Sequence, residues 1–472
     1  MVLEVPENIN YPIPEKIPKV CFRAYDIRGP VDSDNLTPEL AYAIGLAVGA
    51  EARALDEKEI AVGRDGRLSG AELTAALCQG LLDSGLDVTY IGLVPTPVLY
   101  FATHWLTARS GVMVTASHNP GSHNGFKTVL KGRTLTEEGV AAVYQRIYDR
   151  SFVAGKGTLS TEDIAADYIK YVTDRIQLAR PLKVVIDCGN GAAGEIAPKL
   201  FRALGCEVFE LYCDIDGRFP NHHPDPTVLE NLVDLINKVK EVKADIGFGF
   251  DGDADRLGIV VDTGEIVLPD RQMMLFVKEI LTHHPGAEII FDVKCSRHLP
   301  KVIAEYGGKP FMWRTGHSMI KAKLFERGGV FAGELSGHLF FKDEWPGFDD
   351  GMYVGARLLR ILSNEKRPAS EIFAALPNSI NTPELKLAMP EEKKSEFMRR
   401  LVTEGLFADA EKITLDGLRL EFSDGWALVR PSNTSPYLII RFEAENQAAL
   451  QRIQELLRQQ LLKIDSHLSL PF

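Results

Sequence analysis

The sequence predicts an α/β protein made of three similar domains and a smaller fourth domain of the α+β class. Three observations support this prediction: apolar runs that end in Asp or Gly, polar glycine-rich loops after every third run, and a change of pattern near residue 377. A chain of 472 residues corresponds to about three or four domains of roughly 150 residues each. With 45% hydrophobic and 25% charged residues, the whole chain should fold.

The first strand of each repeat is a continuous apolar, β-branched run. The three runs are IAVGRDG from residue 60, KVVIDCGNG from residue 183 and EIIFDVKCS from residue 288. Runs that are apolar throughout, without polar alternation, are typical of buried parallel strands. We therefore predict a parallel strand at the start of each repeat.

Two further strands complete each repeat. The second strands are predicted in GLDVTYIG, GCEVFELY and GGKPFMWRTGH, which begin at Gly85, Gly205 and Gly307. The third strands are predicted in GVMVTASHNP, DIGFGFDGDADR and GGVFAGELSGH, and helix-like segments separate the strands. Open parallel sheets bind ligands at the carboxyl ends of their strands, so the loops after the third strands are the candidate binding loops. The alternative is a chance resemblance, because α/β proteins often place Gly and Asp at strand ends.

The pattern changes after about residue 377. The rest of the chain predicts a helix, a meander of strands in ITLDGLRLEFSDGWALVRPSNTSPYLIIRFEA, and a last helix in AALQRIQELLRQQLLKI. We therefore expect domains at residues 1–162, 163–265, 266–377 and 378–472. The first three should contain mixed, mainly parallel sheets.

Charge and cysteine content argue against several classes of function. The 53 basic and 65 acidic residues give a net charge of −12, which opposes binding to nucleic acid or to an anionic membrane. The six cysteines form no CxxC pair, which predicts scattered core thiols in a reducing compartment. No uncharged run is long enough to cross a membrane, and the acidic, proline-broken start is unlike a signal peptide. We expect a cytoplasmic protein.

Three carboxylates alternate in the loop Asp251-Gly252-Asp253-Ala254-Asp255-Arg256, between the apolar runs IGFGF and LGIVV. Carboxylates this close repel one another unless a cation is bound, and Mg²⁺ suits a few carboxylates completed by water or phosphate oxygens. An EF-hand loop also begins Asp-x-Asp-x-Asp, but it requires Gly where this loop has Arg256. A solvated acidic turn is the remaining alternative to a magnesium site.

The segment TASHNP, residues 115–120, follows the apolar strand GVMV and places Ser117 where a nucleophile is expected. A Ser/His hydrolase is disfavoured, because neighbouring strand residues point to opposite faces and would separate Ser117 from His118. The G-x-S-x-G elbow of such enzymes is also absent. By itself Ser117 is compatible with a simple turn, but a phosphorylated serine would need a metal and basic groups, and the chain has both.

Two other loops have compositions that suit a polar ligand. GELSGH, residues 333–338, combines a carboxylate, a hydroxyl and an imidazole that can bind a polyol, and His338 can move protons near neutral pH. RPSNTS, residues 430–435, joins an arginine to four short hydrogen-bonding side chains, as in a phosphate-binding loop. Each segment is also compatible with an ordinary polar turn.

The segment GNGAAG, residues 189–194, matches the G-x-G-x-x-G pattern of dinucleotide-binding proteins directly after the strand KVVID. The unit lies in the middle of the chain, and no other segment suggests hydride transfer. We interpret it as a tight strand-to-helix turn, and an NAD-dependent dehydrogenase is the minority alternative.

Taken together, the four loops resemble those of the α-D-phosphohexomutases, and within them the bacterial phosphomannomutase/phosphoglucomutase group. TASHNP is similar to the phosphoserine loop, DGDADR to the metal loop, GELSGH to the sugar-specificity loop and RPSNTSP to the phosphate-binding loop, in the family's order. Further similar segments are YDIRG at residues 25–29, NGFK at 124–127 and TGH at 315–317.

The resemblance implies an isomerase of carbohydrate metabolism whose domains surround a central cleft. Such an enzyme moves phosphate between C1 and C6 of a hexose. Its phosphoserine gives phosphate to the sugar, and the resulting 1,6-bisphosphate turns over and returns its other phosphate. Phosphorylated hexoses would be the partners, and glucose 1,6-bisphosphate would be intermediate and activator. We expect a monomer.

The resemblance also implies residue roles, which are assigned here by matching segments. Ser117 would be the phosphorylated serine and, with the loop carboxylates, a ligand of Mg²⁺. The full set comprises the metal ligands Asp251, Asp253 and Asp255; the phosphoryl-contacting cations Arg28, Lys127 and Arg256; the proton carriers Lys127 and His338; the sugar-binding residues Tyr25, His317, Glu334 and Ser336; and the residues for the non-reacting phosphate, Arg430, Ser432, Asn433 and Thr434.

Leu335 bears on the choice of sugar. At this position of the specificity loop, the mannose/glucose group usually has Met and the glucosamine group Gln, so an apolar residue favours mannose or glucose without choosing between them. A phosphoglucosamine mutase is the main alternative. A sugar-phosphate-binding protein without turnover is a further one, although Ser117 and every aspartate of the metal loop are present.

Overall fold

The structure is a computed structural model that describes residues 11–432 and 435–472. The chain divides into two compact units. The first consists of Met1–Pro269 with Ser336–Phe373, and the second of Asp270–Leu335 with Ala374–Phe472. Residues of the segment predicted as the third domain, 266–377, therefore contribute to both units.

The first sheet, in the first unit, has strand order β1-β5-β4-β2-β3-β7, with β6 paired to β5. Its strands are β1 (Ile27–Pro30), β2 (Glu59–Arg64), β3 (Asp87–Leu93), β4 (Gly111–Val114), β5 (His123–Leu130), β6 (Arg133–Thr134) and β7 (Leu159–Thr161). The helices of this region are α1 (Pro38–Ala54), α2 (Gly70–Asp83), α3 (Thr96–Trp105) and α4 (Glu137–Tyr148), after a 3-10 turn at Lys19–Cys21. Strand β2 pairs in parallel with β3 and β4, whereas β5 is antiparallel to β4 and β1.

The second sheet, also in the first unit, has the order β12-β11-β10-β8-β9. Its elements in chain order are α5 (Ala165–Thr173), β8 (Lys183–Asp187), α6 (Ala197–Ala203), β9 (Glu207–Leu211), α7 (Val233–Val242), β10 (Ile246–Phe250), β11 (Leu257–Val261) and β12 (Ile266–Val267), with 3-10 turns at Ala192–Glu195 and Leu229–Leu232. The segment GNGAAG leads from β8 through the first of these turns towards α6, which agrees with its interpretation as a strand-to-helix turn.

The third sheet places β13 between β14 and β15, parallel to both. The elements of the second unit here are α8 (Pro269–His283), β13 (Glu288–Asp292), α9 (His298–Glu305), β14 (Lys309–Trp313), α10 (His317–Arg327) and β15 (Phe331–Gly333). The chain continues through β16 (Leu339–Phe341), α11 (Gly351–Asn364) and α12 (Ala369–Ala374).

The predicted threefold repeat is confirmed by the strand pairing. In every repeat the first strand is central, the second strand lies on one side, the third lies on the other, and both pairings are parallel. Antiparallel strands then extend the first two sheets, so that these sheets are mixed. The loops TASHNP, DGDADR and GELSGH follow the equivalent strands β4, β10 and β15.

The last part of the chain has the predicted α+β character. Its elements are β17 (Ile380–Asn381), β18 (Leu385–Ala388), α13 (Glu391–Glu404), β19 (Glu411–Ile413), β20 (Leu418–Phe422), β21 (Gly425–Pro431), β22 (Tyr437–Ala444) and α14 (Gln447–Ile464). Strands β19 to β22 form an antiparallel meander. Asn446 caps α14 by accepting a hydrogen bond from the Ala449 N–H, and apolar residues at helical spacing bury one face of this helix. Among the described residues, no helix is long and apolar enough to span a bilayer.

The prediction of scattered thiols is wrong for one pair of cysteines. Cys188 follows β8 and Cys213 follows β9, and their sulfur atoms lie 3.4 Å apart. The parallel pairing of β8 with β9 brings the two strand ends together, which sequence separation alone does not reveal. All six cysteines are free thiols.

Helices α1 and α2 approach each other through two glycines. A Cβ atom on Gly80 would lie 2.2 Å from the backbone oxygen of Tyr42, and one on Gly45 would lie 2.3 Å from the backbone oxygen of Leu77. A methyl group fits at neither position unless the helices separate, because backbone oxygens cannot turn away as a flexible side chain does.

We predict that Gly80→Ala destabilises the protein. Ala gains up to about 1 kcal/mol of helix propensity over Gly. Overpacking between two backbones costs typically about 1–3 kcal/mol and occasionally more, so the loss should prevail. The midpoint of thermal unfolding should fall, whereas Glu72→Ala on the exposed side of α2 should leave it nearly unchanged. A midpoint for Gly80→Ala at or above that of the wild type would contradict the packing argument.

Candidate active site

Ser117 lies in a buried turn after β4, with its backbone in the left-handed region at φ +50°. Its N–H donates to Thr115 Oγ1 at 2.9 Å, and its hydroxyl donates to Asp251 Oδ2 at 2.7 Å. The left-handed residue turns the chain at the end of the strand and directs the hydroxyl towards the loop that carries the aspartates.

The expectation that Ser117 and His118 point apart is wrong. The strand already ends at Val114, and in the turn that follows Ser117 Oγ lies 3.0 Å from His118 Nδ1. Burial, reinforced by nearby Arg256, holds the pKa of His118 well below its ordinary value, so the imidazole is neutral. The site nevertheless lacks the strand-to-helix elbow of a hydrolase, because the turn leads into strand β5. The predicted residue set did not include His118, although it is adjacent to the serine in the sequence.

The aspartates Asp251, Asp253 and Asp255 occupy the hairpin loop between β10 and β11. All three are completely buried, and their carboxylate oxygens approach within 4.8 Å of one another. The alternative of a solvated acidic turn is therefore wrong. Asp253 Oδ1 is buried without a hydrogen-bond partner among the described residues, so one hard oxygen ligand is not used by the protein. A cluster of this kind fits Mg²⁺.

Two buried cations compensate the charge of these carboxylates. Lys127 on β5 donates to Asp253 Oδ2 at 2.7 Å and also to Asp255, while Arg256 Nε donates to Asp251 Oδ2 at 2.9 Å. Burial opposes the charged form of Lys127, yet the two aspartates raise its pKa well above its ordinary value. Burial, together with the neighbouring aspartates and against Arg256, raises the pKa of Asp251 to about 7. In this network, the protonation state of each group therefore depends on the charges of its neighbours.

Arg28 and Arg256 place guanidinium groups beside the serine turn. Arg28 Nη1 lies 3.1 Å from Asn119 Oδ1, and its Nη2 pairs with Asp26. Arg256 Nη1 lies 3.5 Å from Asp225 Oδ1. Within residues 11–432 and 435–472, Arg256 Nη2 finds no hydrogen-bond acceptor although it is buried, so it can donate to an anion. Tyr25 lies half-buried just before β1.

His338 belongs to the same cluster. Its Nε2 lies 3.4 Å from Asp255 Oδ1, and its Nδ1 lies 3.0 Å from Ser336 Oγ. Asp349, which the sequence reasoning missed, brings a carboxylate oxygen within 4.8 Å of the ligand atoms of Asp255 and His338. Asp349 lies outside every loop that the repeat singled out, so no sequence signal pointed to it.

In the second unit, Glu334 binds the backbone of the segment TGH, residues 315–317, which ends in His317. The Gly316 N–H donates to Glu334 Oε1 at 2.5 Å, and His317 begins α10 in a buried position. Thr315 is held by two aspartates, with its hydroxyl 3.0 Å from Asp292 Oδ2 and its N–H 3.0 Å from Asp416 Oδ2.

Arg430 joins the hydrogen bonds around Thr315 through Asp416. Its Nε donates to Asp416 Oδ2 at 3.0 Å, and its Nη2 is a buried donor that has no partner in the described part of the chain. Ser432 Oγ lies 2.8 Å from Ser435 Oγ. Asn433 and Thr434, also predicted for this loop, lie outside the described residues.

Lys294 is a further cation that the sequence reasoning missed. It is buried two residues after β13 and pairs with Glu384 at 2.8 Å. Burial opposes the charged form of Lys294, yet Glu384 and Asp292 raise its pKa above the ordinary value. Its position after the first strand of the third repeat is the signal that could have found it, because ligand-binding residues gather at such strand ends.

The structure thus brings most of the predicted residues into two groups. The group in the first unit comprises Arg28, Ser117, Lys127, Asp251, Asp253, Asp255, Arg256, Ser336 and His338. The group in the second unit comprises His317, Glu334 and Arg430.

Four protein-family models match the chain in order. They are described as Phosphoglucomutase/phosphomannomutase, with alpha/beta/alpha domains I, II and III at residues 19–154, 166–264 and 268–380, and the C-terminal domain at residues 384–460.

Whole-length similarity to individual proteins is also high. The chain is 52% identical to a phosphomannomutase/phosphoglucomutase of Pseudomonas aeruginosa over 97% of this chain and 98% of that protein. It is 50% identical to a phosphoglucomutase of Neisseria meningitidis over 92% and 95% of the two chains. A crystal structure of a phosphoglucomutase/phosphomannomutase family protein from Burkholderia thailandensis, 49% identical, matches with a TM-score of 0.93 and covers 97% of this chain and 100% of its own.

The fold, and a buried serine beside a loop of three buried aspartates, fit a phosphoryl-transfer enzyme. The chain belongs to the phosphoglucomutase/phosphomannomutase family of α-D-phosphohexomutases. It is a hexose phosphate mutase, an isomerase of carbohydrate metabolism.

We predict that Asp253→Asn weakens Mg²⁺ binding and lowers kcat together. The substitution removes one anionic ligand and one partner of Lys127, so the dissociation constant for Mg²⁺, measured by calorimetry, should rise by at least about tenfold. Asp234→Asn changes an exposed carboxylate of α7 and is the control, which should bind Mg²⁺ as the wild type does. Wild-type activity that persists in excess chelator would contradict the metal assignment.

Proposed function

We propose that this enzyme interconverts the 1-phosphates and 6-phosphates of mannose and glucose through a phosphorylated Ser117 and a 1,6-bisphosphate intermediate. The observation that carries the proposal is the setting of Ser117. Its hydroxyl is directed at Asp251, 2.7 Å away, in a turn flanked by the metal loop and by buried cations. A serine phosphate, with nearly two negative charges at neutral pH, requires such surroundings.

In the proposed reaction, a hydroxyl oxygen of the sugar attacks the phosphorus of phosphoserine. The bond from phosphorus to the sugar oxygen forms, the bond to Ser117 Oγ breaks, the proton of the sugar hydroxyl passes to a base, and the leaving serine oxygen takes up a proton. Bound Mg²⁺ would be held by Asp251, Asp253 and Asp255, with Ser117, and would supply positive charge to the transferring group. Arg28, Lys127 and Arg256 would stabilise the remaining charge, which is the main requirement of phosphoryl transfer.

We assign the proton to His338 in preference to Lys127. Lys127 is tied to two aspartates that keep it charged, so it acts as a cation rather than as a base. The imidazole of His338 lies between Ser336 and Asp255 and can accept a proton and return it.

Further residues of the predicted set would hold the sugar and its non-reacting phosphate. Glu334 and Ser336 would bind sugar hydroxyls, with Tyr25 and His317 beside them. Arg430, Ser432, Asn433 and Thr434 would bind the phosphate that is not being transferred. The buried donor Arg430 Nη2 supports this role, because a guanidinium fixed by a carboxylate on one side is preorganised for phosphate on the other.

The bisphosphate must turn over within the enzyme so that its second phosphate can return to Ser117. Escape at this stage would leave the serine unphosphorylated. Glucose 1,6-bisphosphate added from outside would then rephosphorylate the serine, which is why we propose it as activator as well as intermediate.

The proposed sugars follow the names of the relatives, phosphomannomutase/phosphoglucomutase and phosphoglucomutase, and agree with the apolar Leu335. Assays with the 1-phosphates of mannose, glucose and glucosamine test the choice. We expect turnover of the first two and little of the third. High activity with glucosamine 1-phosphate alone would instead identify a phosphoglucosamine mutase.

We also propose domain boundaries near residues 162, 265 and 377, which the ranges 19–154, 166–264, 268–380 and 384–460 of the four family models support. The monomeric state and the cytoplasmic location stay predictions from the sequence.

We predict that Ser117→Ala abolishes turnover and the phosphate adduct. The substitution removes the oxygen that carries the phosphate but is small enough to leave the turn in place. Activity should fall by at least about 10³-fold. In intact mass spectra, the wild type incubated with glucose 1,6-bisphosphate should carry one phosphate and the variant none.

The control for this experiment is Ser122→Ala, which changes an exposed serine of the same loop. It should keep both the adduct and the activity. A phosphate adduct that persists in Ser117→Ala would refute the assignment of the phosphorylated residue.

We predict that Arg430→Ala acts through substrate binding. Loss of a charge-assisted contact worth about 1.5–3 kcal/mol should raise KM by roughly 10- to 100-fold for both phosphate esters. The weakened site should also release the bisphosphate, so that added glucose 1,6-bisphosphate partly restores activity.

Arg452→Ala, which removes an exposed arginine of α14, serves as the matched control and should leave KM unchanged. The binding role would be excluded by a wild-type KM in Arg430→Ala. It would equally be excluded by lost turnover with unchanged KM and no rescue by the bisphosphate.

A further inference from the structure

Arg67, three residues after β2, is almost completely buried, and its guanidinium group is surrounded by backbone carbonyls of the serine loop. Its Nη2 donates to the carbonyl oxygens of Ser117 and Asn119, each at 2.7 Å. Its Nη1 donates to those of Pro120 at 2.6 Å and His123 at 2.9 Å. One side chain therefore fixes four peptide groups within a stretch of seven residues.

Asp65 completes this arrangement from the other side. Its carboxylate accepts hydrogen bonds from Arg67 Nε at 3.2 Å and from the Thr115 hydroxyl at 2.6 Å. The Thr115 oxygen in turn accepts the Ser117 N–H at 2.9 Å. The peptide groups on both sides of the Ser117 Cα are thereby held, the N–H through Thr115 and Asp65, and the C=O directly by Arg67.

The backbone of Ser117 needs such support. A non-glycine residue at φ +50° is in a sparsely populated conformation, which persists only when the surrounding structure enforces it. In the proposed reaction the same residue loses and regains a doubly charged group in every cycle, next to Asp251. A turn without external restraint would relax differently in the two states.

We propose that Arg67 is a positioning residue for phosphoryl transfer and that Asp65 and Thr115 are its partners. It acts through the backbone of residues 117–123, because its donors are occupied by carbonyl oxygens of the loop and by Asp65. This inference rests on the proposed phosphoserine function. A misplacement of about 1 Å in a reacting group can slow a reaction roughly 100-fold, and this sets the expected size of the effect.

The test uses Arg67→Lys, which keeps the positive charge beside Asp65 but cannot bind four carbonyls. Enzyme that carries radiolabelled phosphate on Ser117, loaded from labelled glucose 1,6-bisphosphate, is mixed with excess unlabelled glucose 1-phosphate. Loss of label from the protein is followed by quenched flow, because the phosphate that returns from the bisphosphate to the serine is unlabelled. We expect the rate constant to fall roughly 100-fold, with KM for glucose 1-phosphate within about threefold of the wild type. A misfolded fraction would lower the amplitude of this reaction but not its rate constant.

Two further variants complete the design. Arg357→Lys changes a second buried arginine of the same unit, which pairs with Asp343, and should transfer phosphate at the wild-type rate. Thr115→Val removes the hydroxyl link without a change of charge, so it tests the inference even if Arg67→Lys does not fold. We expect its rate constant to fall roughly tenfold, with KM unchanged.

The possible outcomes distinguish failure of the proposed function from failure of the positioning role of Arg67. If wild-type enzyme never transfers its labelled phosphate from Ser117 to the sugar, the proposed function itself fails. If the wild type transfers phosphate and both Arg67→Lys and Thr115→Val do so within about threefold of its rate, the positioning role is wrong.

The close pair Cys188 and Cys213 supports a second, independent inference. The sulfur atoms lie 3.4 Å apart at the ends of two paired strands, and Cys213 is partly exposed while Cys188 is fully buried. A disulfide requires a sulfur separation of about 2.05 Å, so the two side chains must move closer together for the bond to form.

The geometry assigns this pair as a site of intramolecular disulfide formation by a small disulfide oxidant such as oxidised glutathione. The Cys213 thiolate attacks the oxidant, forms a mixed disulfide and releases one thiol. The Cys188 thiolate then displaces the second thiol, so that two protein thiols are oxidised and one disulfide is reduced.

Oxidised glutathione tests the assignment through intact mass and peptide mapping. Wild-type enzyme should lose about 2 Da and yield a peptide that links residues 188 and 213. Cys188→Ser should instead keep a stable glutathione adduct at Cys213. A stable adduct at Cys213 in the wild type, or no reaction at either thiol, would overturn the assignment.

Discussion

Three fully buried carboxylates in one hairpin loop are the constraint on which the rest of the site depends. Carboxylates removed from water are strongly unfavourable unless they are paired, and three together also repel one another. Arg256 compensates them from the loop itself, and Lys127 from a strand of the neighbouring sheet. Thr96, at the start of α3, adds a hydroxyl donor to Asp253. The position of the aspartate loop is therefore fixed by its own arginine and by groups from a neighbouring strand and helix.

In the serine turn, a small reactive residue is held in an unfavourable backbone conformation. Hydrogen bonds to its peptide groups hold Ser117 in place. Arg67 and Thr115 make those bonds, while the hydroxyl itself contacts Asp251 and His118. Support through the backbone leaves the side-chain oxygen available for chemistry, as catalysis by preorganised groups requires.

Because one α/β arrangement is repeated, loops that are distant in the sequence occupy equivalent positions in their repeats. Each repeat places its first strand in the centre and ends its third strand in a polar loop. In the first unit, the serine turn follows β4 and the aspartate loop follows the equivalent strand β10, and the hydrogen bond from Ser117 to Asp251 joins the two loops. The meander of the last domain follows another pattern, and its contribution comes from single residues such as Arg430 and Asp416.

The sequence by itself determined the fold class, the three repeats and the loops that carry chemistry, because continuous apolar strands and glycine-rich strand ends are local signals. It also indicated the aspartate triad, since alternate carboxylates need a cation. Only the tertiary structure decided which groups pair. It revealed Arg67, Asp349 and Lys294, corrected the separation of Ser117 from His118, and brought Cys188 to Cys213. Apart from the contact between Ser117 and His118, these contacts join residues that are far apart in the sequence, so the pairing follows from tertiary packing and not from the neighbouring residues.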